Sequence, residues 1–371
     1  MEKKKLVFVL NNFLIGGTEK VLLEILKNFD RNSFKISIIP VFGSGSMESN
    51  FKKLGVQIFF VGPKKYPSSI FLKIVWVLSV PIILLRLIVF FKKSKPDVVI
   101  TSLYSADILG IFAAWLSRIQ KRVIIYHDVH KMSAIRQFLR KILALNLAHK
   151  IVAVSSSVKD FLINYWNVPN DKVVVIFNGI DFQQFELGKK SLSPDLVLGF
   201  IGRFVQEKDP KCLLKSLVVL KNKHELEPGV IMVGNGKLES SLKEFVNYNN
   251  LNNIQFTGWT DDVIKWLKKI DILVIPSREE GLPLIVLEGL AANKLIIASD
   301  IDPMKELISS GDNGILFKVG DFNSLSEKLE DLLNNPSLVK KYYNNVSQWI
   351  NKNKHLFDIK DVSKRYSEIL N

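Results

Sequence analysis

The sequence predicts an α/β protein with two Rossmann-like, doubly wound domains in tandem. Short runs rich in Val, Ile and Leu alternate with longer helical patterns from one end of the chain to the other. Many of these runs are continuously apolar, as expected for strands of a parallel sheet that helices cover on both faces. The length of 371 residues exceeds one ordinary domain and fits two.

Strand candidates occur in both halves, and the strand–helix–strand order predicts parallel pairing through crossover helices. The first half has Leu6–Leu10, Lys35–Val41, Val56–Phe60, Asp97–Thr101, Arg122–His127, Lys150–Val154 and Lys172–Ile176. The second half has Leu196–Ile201, Val230–Val233, Ile254–Thr257, Ile272–Ile275, Lys294–Ala298 and Gly314–Phe317.

The best boundary between the two domains lies between Asn178 and Asp195. The stretch begins with the turn signal Asn-Gly-Ile-Asp, and its segment from Gly188 to Pro194 is polar and rich in helix breakers. We therefore assign residues 1–190 to a first domain and residues 191–351 to a second. A cleft between two such domains is the expected place for ligands.

The cysteine count and the N-terminus favour a cytoplasmic protein. The single cysteine, Cys212, excludes a disulfide scaffold and fits a reducing compartment. The basic N-terminus runs into the short apolar stretch Leu6–Leu10, and no small-residue cleavage site follows. This pattern predicts no signal peptide.

The net charge of +15 is concentrated in the first half of the chain. Residues 1–190 hold 28 Lys and Arg against 12 Asp and Glu, a balance of +16, whereas residues 191–371 hold 23 against 24, a balance of −1. Two interpretations remain for this asymmetry. The first half either faces an anionic surface or ligand, or carries an ordinary solvated basic face.

The most apolar stretch of the chain is Ile70–Phe91. Its longest uncharged run, Ile74–Leu85, is too short for a membrane-spanning helix, which needs about 20 residues. Pro81 is expected to kink a helix here. The stretch is interpreted either as a core helix on the first sheet or as a helix in the membrane interface, anchored by Trp76 and Lys92-Lys93.

Two glycines, Gly16 and Gly17, follow the first strand candidate at a strand-to-helix turn. Glycine lets a backbone approach a ligand closely, and the N-terminus of a helix favours an anion. The G-x-G-x-x-G spacing of a dinucleotide site is absent here. It is half met at Gly234 and Gly236, but Glu239 stands at the third glycine position and argues against a nicotinamide cofactor.

A second loop carries two cations behind the first strand of the second domain. Arg203 follows the strand directly, Lys208 follows five residues later, and Asp209-Pro210 is predicted to cap and begin a helix. Two cations at that edge of a sheet can neutralise a diphosphate leaving group.

The richest motif runs from Pro276 to Ala291, where a buried strand leads into a loop with Glu280. Pro283 suits the first turn of a helix that carries Glu288. Eight positions of regular helix would separate the two acids by about 12 Å. This distance exceeds the roughly 5 Å between the paired carboxylates of a retaining glycoside hydrolase. It suits two acids that bind hydroxyls at opposite ends of a long ligand.

In this order, the motifs resemble those of the retaining, GT-B-fold glycosyltransferases of family four. That family has a glycine pair after the first strand, a histidine that ends a mid-domain strand, an Arg-x₄-Lys and an E-x₇-E. Here these are Gly16-Gly17, His127, Arg203 with Lys208, and Glu280 with Glu288. The resemblance covers nearly the whole chain and is weakest between about residues 45 and 95, where members differ with their acceptors.

For the fold, the resemblance implies two domains that face each other across a cleft. An alternative assignment then adds the C-terminal helix, about 352–371, to the first domain. Arg203 and Lys208 would hold the donor diphosphate, assisted by the backbone of Gly16 and Gly17. One departure from the family is Asp209, which stands where a glycine is common and is expected to alter only the turn.

The resemblance also implies contacts with the donor's sugars. Glu288 would bind the ribose hydroxyls, Glu280 the transferred sugar, and His127 would lie beside the reacting centre. His130 either shares that site or is a plain surface histidine. The implied activity is retaining transfer of a hexosyl group from a nucleotide-diphosphate sugar to a saccharide or lipid-linked acceptor. Bacterial surface-polysaccharide biosynthesis at the inner face of the plasma membrane is the expected setting.

No metal or other cofactor is expected. Asp300-Ile301-Asp302 matches the D-x-D of metal-dependent, single-domain glycosyltransferases, but it lies far down the chain and reads better as a cap for the helix that starts at Pro303. The remaining His and Cys residues are scattered without metal-ligand spacing.

Two alternatives from other functional classes remain at this point. A nucleotide-sugar epimerase shares the two-domain fold, but it does not require a basic acceptor domain. A nucleic-acid-binding protein would explain the high isoelectric point, yet the chain has no basic motif interleaved with aromatic residues. Nucleic acid is therefore not an expected partner.

Overall fold

The computed structural model describes residues 2–63, 79–129, 132–187 and 195–371. The chain divides into two compact units, of which the first is Met1–Gly179 with Ile359–Asn371 and the second is Ile180–Asp358. The division at Gly179 lies inside the stretch that the sequence marks as a boundary, earlier than residue 190. The C-terminal helix joins the first unit from Ile359 onward. Residues 188–194, part of the marked stretch, lie outside the described residues.

The first unit is built on a seven-stranded parallel sheet, in the order β3-β2-β1-β4-β5-β6-β7. Its strands are β1 (Lys4–Leu10), β2 (Phe34–Pro40), β3 (Gln57–Ile58), β4 (Val98–Ser102), β5 (Lys121–Tyr126), β6 (Lys150–Ala153) and β7 (Val173–Val175). The strand order changes direction between β1 and β4, and ligands of doubly wound sheets bind at such a point.

Helices cover both faces of this sheet, because side chains of successive strand residues point to opposite faces. The described helices are α1 (Gly17–Lys27), α2 (Glu48–Lys53), α3 (Val80–Ser94), α4 (Tyr104–Leu116), α5 (Ala134–Arg140) continued by a π-helical turn (Lys141–Leu145), α6 (Ser156–Asn164) and the C-terminal helix (Ile359–Leu370). Val7 and Val9 pack in one core with α3 and α4. Phe8 and Leu10, on the opposite face, line a small cavity with residues of α1 and with Tyr366 of the C-terminal helix.

The second unit repeats the plan with a six-stranded parallel sheet, in the order β10-β9-β8-β11-β12-β13. Its strands are β8 (Val197–Ile201), β9 (Gly229–Val233), β10 (Ile254–Gly258), β11 (Ile272–Ile275), β12 (Leu295–Ser299) and β13 (Ile315–Phe317). Its helices are α7 (Phe182–Phe185), α8 (Pro210–His224), α9 (Glu239–Tyr248), α10 (Val263–Leu267), α11 (Leu284–Ala291), α12 (Asp302–Lys305), α13 (Phe322–Asn334) and α14 (Pro336–Phe357). The prediction of two Rossmann-like α/β domains is therefore confirmed.

The apolar stretch Ile70–Phe91 is described only from residue 79, so Trp76 lies outside the described residues. In its described part, Ile83, Leu87 and Phe91 of α3 are buried against the sheet. The opposite side of the helix exposes apolar side chains together with Arg86. The expected kink at Pro81 is wrong. Pro81 lies in the first helical turn, where its missing N–H breaks no helical hydrogen bond. Within the described residues, no helix is both long and apolar enough to cross a bilayer.

Candidate active site

The turn after β8 presents Arg203 at the carboxyl edge of the second sheet, and two glycines make room for that turn. A Cβ atom on Gly234 would lie 1.9 Å from the carbonyl oxygen of Gly202, and one on Gly236 would lie 2.4 Å from that of Phe204. Both glycines also have positive φ angles, +138° and +155°, which side chains rarely adopt. Close backbone packing against the Arg203 turn thus explains why glycine occurs at Gly234 and Gly236, the two positions that partly match the G-x-G-x-x-G spacing.

Arg203 itself is exposed, and within the described residues its side chain has no hydrogen bond or ion pair. The turn behind it is held by hydrogen bonds from the N–H groups of Phe204 to Asn235 O, at 2.7 Å, and of Val205 to Arg203 O, at 3.0 Å. A fixed backbone with an exposed guanidinium suits recognition of an anion that arrives from solvent.

Lys208 and Glu280 are brought together by the fold, although 72 positions separate them. Lys208 ends a 3₁₀ turn, Gln206–Lys208, and Glu280 lies in the loop between β11 and α11. The Lys208 Nζ donates a hydrogen bond to Glu280 Oε1, and the two side chains are only 22 % and 9 % exposed. An ammonium group has three N–H donors, so this bond leaves donors for a phosphate oxygen.

Glu288 lies on α11, one turn past the start of the helix. Pro283 is the extended residue that precedes the helix, and α11 begins at Leu284. Only the second half of the segment from Glu280 to Glu288 is therefore helical, so the estimate of about 12 Å for eight helical positions does not apply. The first amides of α11, from Leu284 and Ile285, directly follow this loop.

Asp209 differs from its predicted role. It precedes α8, but its side chain makes no capping hydrogen bond and its φ angle is +43°. The carboxylate instead pairs with Arg278, whose Nε and Nη2 lie 2.8 and 2.7 Å from Asp209 Oδ2. Sequence reasoning missed this pair, since nothing local distinguishes Arg278 from other charged loop residues.

In the first unit, Gly16 and Gly17 lie at the start of α1, at the strand-to-helix turn that the sequence predicts. Gly16 is extended and Gly17 is the first helical residue. A Cβ atom on Gly16 would lie 2.5 Å from Glu19 Oε2, so any larger residue would require this carboxyl group to move. Glu19 is buried, and desolvation raises its pKa to about 7, although a hydrogen bond from its own backbone N–H opposes the shift.

His127 directly follows β5, one residue past the end of the strand of which it was predicted to be the last residue. Its side chain lines the small cavity beside α1, and its Nε2 is buried without a hydrogen-bond partner in the described part of the chain. Burial, together with the positive charge of Arg140, lowers its pKa to about 3. The imidazole is therefore neutral near pH 7. His130 lies outside the described residues.

A buried ion pair supports the same strand from the opposite face of the sheet. Arg140 Nη2 donates to Asp107 Oδ2 at 2.7 Å, and both side chains are almost completely buried. The Arg140 guanidinium lies 4.0 Å from the ring centre of Tyr126, the residue before His127. Thr101 also donates to Asp107, at 2.8 Å. The sequence did not predict this network.

The Asp-x-Asp segment is well exposed and belongs to an ordinary surface turn. The Oδ1 atoms of Asp300 and Asp302 lie 3.0 and 3.3 Å from Lys305 Nζ. The predicted cap is wrong, because α12 begins at Asp302 and the residue before it, Ile301, makes no side-chain cap. Within the described residues, no group of three His, Cys, Asp or Glu side chains could hold a metal ion.

Comparison with known proteins gives two adjoining family matches. Residues 182–349 match the family described as Glycosyl transferases group 1, and residues 15–184 match Glycosyltransferase Family 4. The chain therefore belongs to the group 1 glycosyltransferases of family four. Its two matched regions contain the motifs of both units, so the prediction of a family-four glycosyltransferase is confirmed.

Individual relatives of this glycosyltransferase support the same assignment. It is 25 % identical to the Escherichia coli UDP-Gal:alpha-D-GlcNAc-diphosphoundecaprenol alpha-1,3-galactosyltransferase, over 94 % of each chain. It is also 25 % identical to the Staphylococcus aureus capsular polysaccharide biosynthesis glycosyltransferase CapM, over 69 % of this chain and 72 % of that protein. Among solved structures, Anabaena Alr3699/HepE in complex with UDP-glucose has a TM-score of 0.81 at 18 % identity and 99 % coverage of both chains. This likeness shows the GT-B fold.

Proposed function

We propose that the chain transfers a hexosyl group, with retention of configuration, from a nucleotide-diphosphate sugar to a saccharide or lipid-linked acceptor. The observation that carries the proposal is the hydrogen-bonded pair of Lys208 and Glu280 at the edge of the second sheet. A cation for the diphosphate and a carboxylate for the sugar hydroxyls are thereby adjacent. Arg203 supplies a second cation from the neighbouring turn.

In the proposed reaction, the bond between the anomeric carbon and the donor diphosphate breaks. The acceptor hydroxyl oxygen bonds to the same face of that carbon, and its proton passes to the departing diphosphate. Lys208, Arg203 and the first amides of α11 stabilise the negative charge that develops on the leaving group. The neutral His127 and the backbone of Gly16 and Gly17 are the groups of the first unit that we assign to the donor.

The names of the relatives indicate which donor and acceptor to test first. One relative is named for a UDP-galactose donor and a diphosphoundecaprenol-linked acceptor, and the Anabaena neighbour was solved with UDP-glucose. We therefore infer a uridine-diphosphate hexose as donor and a polyprenyl-diphosphate saccharide as acceptor, in surface-polysaccharide biosynthesis. We expect transfer without a divalent metal.

The test is a transfer assay with the purified chain. A panel of nucleotide-sugars is first screened by thermal shift, because a ligand that binds the folded state raises Tm. The stabilising donor is then supplied with a polyprenyl-diphosphate saccharide in excess chelator, and NMR determines the anomeric configuration of the product. We expect transfer with the donor's configuration kept. An inverted product contradicts retention, and activity that needs an added divalent metal contradicts the metal-independent mechanism.

We also propose that the first unit binds an anionic membrane surface, where a lipid-linked acceptor would lie. Ile82, Leu85 and Val89 of α3 are each more than half exposed, and Lys92 follows in the last turn. A second apolar surface on α5 and its π-helical turn comprises Ile135, Phe138, Leu139 and Ile142. These exposed apolar groups lie in residues 1–190, which have a charge balance of +16, and the combination suits an anionic bilayer.

Vesicle flotation tests this membrane proposal. We expect binding to vesicles that contain phosphatidylglycerol, weaker binding as salt rises, and little binding to neutral vesicles. Leu85→Ser should weaken binding, whereas Tyr248→Ser, which changes an even more exposed side chain of the second unit, should not. Equal retention on neutral and anionic vesicles, or none on either, counts against the proposal.

A further inference from the structure

Three contacts join the segment that carries Lys208 to the segment that carries Glu280. One is the Lys208–Glu280 pair itself. The second is a backbone hydrogen bond of 2.8 Å from the Arg278 N–H to Glu207 O. The third is the ion pair in which Arg278 Nε and Nη2 approach Asp209 Oδ2 at 2.8 and 2.7 Å. Arg278 therefore holds the residues on both sides of Lys208.

The conformation of Asp209 supports a role for this pair. Its φ and ψ angles of 43° and 50° lie in the left-handed region, which glycine adopts without penalty and other residues adopt at a cost. A helix cap does not offset this cost, because the Asp209 side chain makes no capping hydrogen bond. The carboxylate binds Arg278 instead, and the Asp209 side chain is only 13 % exposed.

The guanidinium of Arg278 is confined on another side by Gly320. A Cβ atom at Gly320 would lie 3.2 Å from Arg278 Nη2, and the φ angle of Gly320 is +72°. The arginine thus lies between the loop before α13 and the turn before α8. A planar group held in this way has less freedom than an ordinary surface arginine, although half of its side chain is exposed.

We propose that Arg278 and Asp209 are positioning residues that hold Lys208 and Glu280 in register for the donor. We assign this pair no contact with the diphosphate or with the sugar. It fixes the turn from which Lys208 projects and the loop from which Glu280 projects, two residues past Arg278. The inference rests on the proposed function, because it assigns those two side chains to the donor.

Asp209→Gly separates a positioning role from a structural one. Glycine suits the left-handed backbone, which favours the folded state, while loss of a partly exposed ion pair costs little. We expect Tm close to that of the wild-type chain and kcat lowered by about 10- to 100-fold, because a small displacement of a catalytic group has effects of that size. Arg278→Gln should lower kcat similarly.

Two further comparisons complete the experiment. The kcat of the double variant should be no lower than that of either single variant, because both substitutions remove the same ion pair. Hydrogen exchange should speed up at residues 203–209 and 276–282 in each variant. The control is Glu227→Gln, which removes another exposed ion pair of the second unit, with Lys221 at 3.1 Å, and should change neither quantity.

Several results would overturn the inference. The kinetic results are an unchanged kcat in both single variants, or a double variant whose loss of kcat is the product of the two single losses. The others are a loss of kcat that is matched by a fall in Tm, or unchanged hydrogen exchange in the two segments. Hydrogen exchange needs no substrate, so it tests the pair even if the wild-type chain fails to transfer sugar. That failure would overturn the proposed function instead.

Discussion

Lys208→Ala is expected to lower kcat about 100-fold. The leaving nucleoside diphosphate carries more negative charge in the transition state than in the bound donor, so a nearby cation stabilises the transition state more. Removing one such electrostatic partner typically costs roughly 3 kcal/mol. The change also leaves the carboxylate of Glu280, whose side chain is only 9 % exposed, without its lysine partner, and its negative charge would repel the diphosphate.

Arg203→Ala should have an effect of the same order, and its interpretation is simpler. The Arg203 side chain is exposed and unpaired within the described residues, so its removal should leave the fold intact. Steady-state kinetics on both variants should show a smaller change in acceptor KM than in kcat. Lys223→Ala, which removes an exposed cation near the far end of α8, serves as the control. Near-normal kcat in both Lys208→Ala and Arg203→Ala would show that the diphosphate lies elsewhere.

The sheet architecture could be predicted because burial on both faces of a parallel strand leaves a local signature. Each strand of the two sheets overlaps one of the apolar runs, from Lys4–Leu10 to Ile315–Phe317. Helix starts were less predictable. Pro81 and Asp302 were each assigned a role that depends on the position of the first helical residue, and a shift of one or two residues changes that role.

The motif residues could be proposed from the sequence because their order along the chain resembles that of a known family. Their interactions were not predictable, because a charged side chain does not reveal a partner far away in sequence. Asp209 and Arg278 are 69 positions apart, and Asp107 and Arg140 are 33 apart. Similarly, Glu19 is an ordinary acid near a helix start until the fold buries it beside Gly16.

Glu288→Ala is expected to weaken binding of the free nucleoside diphosphate by about 10- to 100-fold. A carboxylate that accepts hydrogen bonds from ribose hydroxyls contributes roughly 1.5 to 3 kcal/mol, since hydrogen bonds to charged groups are stronger than neutral ones. The ribose is distant from the reacting bond and is held equally before and during transfer. The loss should therefore appear in affinity, with a much smaller change in kcat.

Calorimetric titration of uridine diphosphate into the purified chain tests most directly whether the second unit holds the donor's nucleotide. The experiment compares the wild-type chain with Glu288→Ala and with Glu244→Ala, which changes an exposed acid on α9 of the same unit. Circular dichroism of each variant verifies that it is folded. We predict saturable binding to the wild-type chain and to Glu244→Ala with equal Kd, and a Kd about 10- to 100-fold higher for Glu288→Ala. Equal Kd values for all three proteins would contradict the assignment of the donor site to these loops.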